Sequence, residues 1–268
     1  MFFFKKKKII LECFTYDEDV YEYAKIDRMI KFAPEWWKKQ KKIYYQEDED
    51  KHHITIKACP SVMEFHNKAI TIPFWSNLEI VLHTDNTYSW TSSSKMSIVR
   101  HNVNQYLGFA EHDGYNIKIN APWQFRTRES KYFTWSSPFY NNRSLLESLH
   151  VMPGCIEFKY NRSVNINYFA ISPKIEKKLT IKPFSPLAAL HPMFEEPLEI
   201  KNYLVSEKEF YKLDYSKRFF LDHVKQSQIK GHLVGGLYTT YNERKKIVNH
   251  VEANREHSNK SKCPFGFK

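Results

Sequence analysis

The chain predicts a mainly β protein, a two-sheet antiparallel sandwich or jelly roll with a C-terminal helical appendage. Three observations predict it. Between Ile117 and Tyr168, short runs alternate apolar and polar residues with Pro or Gly at the joins, the pattern of half-buried antiparallel strands. Aromatic residues make up 16 % of the 268 residues, with 20 Phe and 17 Tyr, rings of a size to fill the space between two sheets. Beyond Tyr203 the apolar period becomes helical. A chain of this length can bury a sizeable core, as one large β domain or two smaller ones.

Taken in order, residues 9–14 read as a first strand. Val20, Tyr23, Ala24 and Ile30 recur at near-helical spacing over 17–32, and Pro34 is placed to open a short helix, so a helical insertion is expected near 19–42. The adjacent Trp36 and Trp37 are too apolar to leave in water. Glu47-Asp48-Glu49-Asp50 reads as a solvated loop. Strands are expected at 54–57, 69–72 and 78–82, with 88–91 pairing back across an Asp85-Asn86 turn. The central series follows: 117–120 stopping at Ala121-Pro122, then 124–127, 132–135, 156–160 and 164–168. Runs at 179–182 and 186–190 close a β domain spanning 1–204. Ser206 and Glu209 have capping-box spacing and open a helical appendage over 205–256. Phe210, Leu213, Phe220 and Val224 carry its first helix, Gly235-Gly236 breaks it, and Ile247, Val248 and Val251 lie on a second. Residues 257–268 read as a flexible tail.

The formal charge of +11 is uneven. Residues 201–268 hold 14 Lys and Arg against 7 Asp and Glu, +7, which leaves +4 for residues 1–200. A basic end on a balanced body suits an acidic partner, whether nucleic acid, an anionic surface or a protein, but no Arg-rich cluster or nucleic-acid motif accompanies it. Cys13, Cys59, Cys155 and Cys263 are too far apart for a zinc site, and reduced thiols in a soluble cytoplasmic protein are expected. No apolar run approaches the roughly 18 residues that cross a bilayer, so no membrane association is expected.

Of the catalytic constellations, His83-Thr84-Asp85 matches the His-x-Asp half of the facial triad of non-haem iron oxygenases, with His150 or His191 available as the second histidine. The same Asp85 is explained by a turn. His52 and His53 are adjacent and on a strand would point to opposite faces. Ser136-Ser137 and Cys155 show neither a strained elbow nor a paired base. Gly235-Gly236 lacks the Lys-Ser/Thr of a phosphate loop.

Several segments together are similar to one group of proteins. They are Phe32-Ala33-Pro34-Glu35-Trp36-Trp37-Lys38, Ile56-Lys57-Ala58-Cys59-Pro60-Ser61, Ile70-Thr71-Ile72-Pro73-Phe74-Trp75, Ile119-Asn120-Ala121-Pro122-Trp123, Ser136-Ser137-Pro138-Phe139 and Leu179-Thr180-Ile181-Lys182-Pro183. Over residues 9–205 this order resembles a family of uncharacterised β-sandwich or jelly-roll-like proteins from tailed phages of marine bacteria and cyanobacteria. The Lys-rich, Gly-poor composition, typical of an AT-rich genome, agrees. The resemblance implies a compact β domain and a phage-encoded protein located in the infected host cytoplasm or the virion. It places no catalytic residue or cofactor on the chain.

The expected function is that of a structural or interaction protein without catalytic activity. It binds a protein partner, from the virion or the host, through aromatic-rich or basic surfaces. Trp36, Trp37, Trp75 and Trp123 are the candidate contact residues, and self-association is compatible with the amphipathic helices. Two alternatives stand beside it. One is a jelly-roll Fe(II)/2-oxoacid-dependent oxygenase using His83, Asp85, His150 and His191. The other is a nucleic-acid or glycan binder that stacks ligands on the tryptophans.

Overall fold

The computed structural model describes residues 7–100, 114–141, 143–159 and 162–213. The first elements are β1 (Ile9–Thr15), α1 (Glu18–Tyr23), β2 (Asp27–Arg28), α2 (Glu35–Lys39), β3 (Ile43–Gln46), β4 (Lys51–Ile54) and α3 (Pro60–Lys68). Next come β5 (Ile70–Pro73), β6 (Leu78–Leu82), β7 (Tyr88–Ser92), β8 (Ser97–Arg100), β9 (Gly114–Thr127) and β10 (Tyr132–Ser136). The remainder is α4 (Arg143–Leu146), β11 (Leu149–Val151), β12 (Cys155–Glu157), β13 (Arg162–Ile171), β14 (Lys177–Ile181), β15 (Pro186–Pro192), β16 (Leu198–Leu204) and α5 (Glu207–Leu213).

The fold is mainly β, as the alternation predicts. One large sheet has the order β11-β13-β9-β1-β16 with β8 also on β9, and a second has the order β12-β10-β15-β5-β2. A three-stranded sheet, β14-β6-β7, and a separate hairpin, β3-β4, complete the set. The described pairings are antiparallel apart from β1 and β16, which run parallel, so the first sheet is mixed rather than wholly antiparallel.

One core joins the two large sheets and the three-stranded sheet. Leu11, Ile117 and Phe125 of the first sheet, Ile72, Phe133 and Leu190 of the second and Ile80 and Leu179 of the third are buried in one apolar cluster. Phe158 bridges it, its ring 5.4 Å from both Phe125 and Phe133. Tyr168 donates its hydroxyl to Leu187 O across the sandwich, and burial drives its pKa far above that of free tyrosine.

β9 is the spine. The sequence reads it as two strands parted by Ala121-Pro122, whereas the chain runs through as one strand of 14 residues. Pro122 is tolerated because it sits in a bulge: Asn120 pairs with Asn165 and Gln124 with Ser163, leaving three residues of β9 opposite Val164 alone. On the other edge β8 pairs up to Asn120 and β1 begins at Gln124, so the missing N–H falls where the partner strand changes. Gly114 opens the strand at a close approach, where a Cβ would stand 2.4 Å from Ala170 O.

On the face of this sheet opposite the main core, Glu12 and Arg126 form a buried ion pair, with Nε 2.7 Å from Oε2. Phe14 and Leu213 pack together beside Tyr203, and Gln124 Nε2 donates to Phe210 O at 2.9 Å, which seats α5 on the sheet. The capping box is present as read: Glu209 N bonds Ser206 Oγ at 3.3 Å and Ser206 N bonds Glu209 Oε2 at 3.0 Å. The rest of the expected appendage over 205–256, and the tail 257–268, lie outside the described residues.

Other elements also differ from the sequence reading. The helix expected over 17–32 ends at Tyr23, because Asn202 captures Ile26 N and O (3.0 Å each) like a strand edge and β2 then pairs with β5. The strand expected at 54–57 is the end of β4 and a 3₁₀ turn over Ile56–Ala58. It leads into α3, which Pro60 opens at its first turn and which buries Val62 and His66 four residues apart. β16 was not expected, although Leu198, Ile200 and Leu204 alternate with polar residues.

Candidate functional site

The hairpin β3-β4 stands apart from the other sheets. Its register pairs Ile43 with Ile54, Tyr44 with His53, Tyr45 with His52 and Gln46 with Lys51. Side chains alternate between faces, so Ile43, Tyr45, His52 and Ile54 share one face and Tyr44, Gln46, Lys51 and His53 the other. Tyr44 stacks on His53 at 5.2 Å, and Tyr45 lies 5.2 Å from His52. Among the described residues no second layer covers either face: Ile43, Tyr44, Tyr45 and Ile54 are 54, 46, 49 and 77 % exposed. A free two-stranded hairpin is marginal in water by itself, and its unpaired edges are ready templates for another strand.

The tip is the acidic tetrad, a 3₁₀ turn over Glu47–Glu49 closed by Asp50 in the left-handed region (φ 48°). Tyr45 donates its hydroxyl to Asp50 Oδ1 at 2.5 Å, and this bond raises the phenol pKa. The root is basic: Lys38, Lys39, Lys41 and Lys42 are exposed on the approach to β3. Thr55 pins the two legs together there, its N on Lys42 O at 2.9 Å and its Oγ1 on Lys41 O at 2.6 Å. The arm is thus an apolar ribbon with a basic base and an acidic end. The sequence reading missed it by taking the tetrad as a plain loop, though apolar residues flank it on both sides.

Beside the root, α2 sorts its two tryptophans. Trp37 is buried against α3, 4.2 Å from the His66 ring, while Trp36 is 46 % exposed and donates its indole N–H to Tyr140 O at 3.2 Å. Of the other two candidate contact residues, Trp123 is fully buried in the sandwich and Trp75 is half-buried, stacked on Phe74 at 5.3 Å. Trp36, and in part Trp75, therefore keep a face toward solvent.

His66 is fully buried with neither ring nitrogen hydrogen-bonded, surrounded by Trp37, Phe65 and Tyr140, and burial lowers its pKa. His191, next to Phe65 at 5.2 Å, is also shifted down by burial, and its Nε2 lies 2.8 Å from Ser136 Oγ. Ser136 thus has a neighbouring base that the sequence reading did not find, since the two residues meet only through the β10-β15 pairing. The contact ties β10 to β15, and among the described residues no carboxylate bonds the other His191 nitrogen.

The four metal-candidate residues are not gathered together. His83 Nδ1 meets Glu176 Oε2 at 2.9 Å and its Nε2 meets Ser89 Oγ at 3.1 Å. Asp85 accepts from Thr87 Oγ1 (2.6 Å) and Thr87 N (3.0 Å), bonds that hold its carboxyl below the usual range, and Asn86 turns the chain with φ 64°. His150 belongs to β11 of the first large sheet and His191 to β15 of the second. Among the described residues, no group of three or more His, Cys, Asp and Glu is placed to hold a metal.

The structure thus defines a mainly β sandwich carrying an exposed aromatic arm. The chain matches no protein-family model, no curated protein and no solved structure. Among the described residues no helix is long and apolar enough to cross a membrane.

Proposed function

We propose that this is a phage-encoded structural or interaction protein without catalytic activity, which binds a protein partner through its exposed aromatic surface. The observation that carries this reading is the arm. Ile43, Tyr44, Tyr45 and Ile54 gather four large exposed side chains on one hairpin whose outer edges are unpaired among the described residues, whereas the rings between the sheets, Trp123, Phe125, Phe133 and Tyr168, are buried. Strand edges and tyrosines in that setting suit a peptide backbone and apolar side chains, as in strand addition. Trp36 extends the same surface at the arm's root, and the phage assignment draws on the resemblance of the strand-end motifs.

Cross-linking mass spectrometry on the full chain, in infected-host lysate and in purified particles, tests the proposal. A companion protein, or a second copy of the chain, cross-linked within residues 36–57 and lost in the Tyr44→Ser/Tyr45→Ser variant is the expected result. Cross-links mapping only to other surfaces would count against it. Stoichiometric iron lost on His83→Ala would instead favour the oxygenase, and DNA retention that weakens with salt the nucleic-acid binder.

A further inference from the structure

We infer that the arm's partner is a second copy of this chain, joined about a twofold axis at Tyr44 along the outer edge of β3, which is unpaired among the described residues. The inference builds on the reading of the arm as a protein-contact surface and names its occupant.

Two copies of one strand that pair antiparallel are related by a twofold perpendicular to the sheet. That axis keeps each face on its own side, so a residue can oppose only itself or a residue an even number of positions away. Apolar pairing within β3 then selects the register. With Tyr44 on the axis, Ile43 faces the partner's Tyr45, which joins apolar residues on one face. Beyond the strand the charge order agrees in outline: the basic approach over residues 38–42 comes to lie toward the partner's acidic tip over residues 47–50, and symmetry repeats the contact. With Tyr45 on the axis instead, Tyr44 would face the partner's Gln46 and Ile43 would fall opposite the partner's Glu47, past the end of the strand. The first register matches apolar residues along the strand and the second does not.

Three features of the edge agree. Residues 43–46 carry neither a charge nor a proline to guard it, the usual devices that keep an edge strand from pairing. The charges that would repel a parallel copy, basic at the root and acidic at the tip, attract an antiparallel one. Joining the hairpins also gives a four-stranded sheet, β4-β3-β3-β4, in place of two marginal two-stranded ones. The β4 edge offers no such match: an axis at its His52 would set Lys51 against the partner's His53 and Asp50 against the partner's Ile54.

Sedimentation equilibrium of the full chain, with charge reversals, tests the pairing. Wild-type protein is expected to be a dimer that weakens with added salt. Lys39→Glu/Lys41→Glu and Glu47→Lys/Glu49→Lys are each expected to be monomeric, and an equimolar mixture of the two to recover dimers. Tyr44→Cys, facing its own copy across the axis within disulfide reach, is expected to oxidise to a covalent dimer faster than Gln46→Cys. A monomer at every concentration, reversals without effect, or equal cross-linking at both positions would overturn self-pairing. A monomeric chain whose residues 36–57 still cross-link to another protein would leave the contact-surface reading standing. One whose arm cross-links to nothing would end both.

Discussion

The sandwich and the β3-β4 arm are built from the same kinds of residue and leave them in opposite environments. Trp123, Phe125, Phe133 and Tyr168 sit on strands that face another sheet and are all but sealed from water, whereas Tyr44 and Tyr45 sit on strands with nothing opposite among the described residues and stay about half exposed. Strand propensity is shared; the second layer is not. Burial is what turns a ring into stability, at about 25 cal/mol for each Å² removed from water. The rings of the framework hold the fold, and those of the arm are free to contribute to contact with another molecule.

Substitutions in the two regions should therefore differ by an order of magnitude. Trp123→Ala empties a fully buried site and is expected to destabilise the protein by about 3–5 kcal/mol in urea unfolding. Arg126→Met is expected to cost about 3–5 kcal/mol by the same measurement, because Glu12 is then left in a buried site without the guanidinium. The double variant Glu12→Met/Arg126→Met should recover part of that loss. At the other end of the scale, Tyr44→Ser/Tyr45→Ser should change monomer stability by less than about 0.5 kcal/mol per site. A large loss there would show that the arm is packed after all.

Between these extremes lies a pH effect confined to the seam between α2, α3 and the second sheet. His66 and His191 have pKa values lowered by burial, so the unfolded chain binds more protons than the folded one below the ordinary imidazole value of about 6.5. Their contribution is fully favourable above that pH and is lost as pH falls toward the depressed folded values. His66→Phe should flatten this slope in unfolding titrations between about pH 7 and 5 without changing the arm. An unchanged slope would remove His66 from the account.

Much of the framework was legible along the chain. The alternations at 117–120, 124–127 and 164–168, the Asp85-Asn86 hairpin turn and the Ser206/Glu209 capping box are local patterns, and they survive folding because the core is arranged to suit them. What was not legible depends on distant partners. Nothing near β1 announces that β16 will lie beside it in parallel, and Pro122 reads as a strand end until the bulge opposite Val164 is seen. Ser136 and His191 are 55 residues apart and meet only through strand pairing. α3 was hidden because Ile54 to Lys57 continues a β pattern up to Pro60. Among the tryptophans, sequence could not separate Trp36 from Trp37, since one residue's rotation on α2 decides which of them faces α3. The arm was passed over because its charged tip resembles a loop, and a tip is a loop.

The most direct measurement removes the arm. Lys42 and Thr55 are already neighbours at its root, bonded at 2.9 Å, so residues 43–54 can be replaced by Asn-Gly without stretching the chain. Thermal unfolding of this variant at low protein concentration should give a midpoint within about 3 °C of the wild type, since little more than about 1 kcal/mol of framework contact is lost. Self-association should disappear. An excised chain that melts far below the wild type, or fails to fold, would contradict the division between a self-sufficient sandwich and an arm kept for contact.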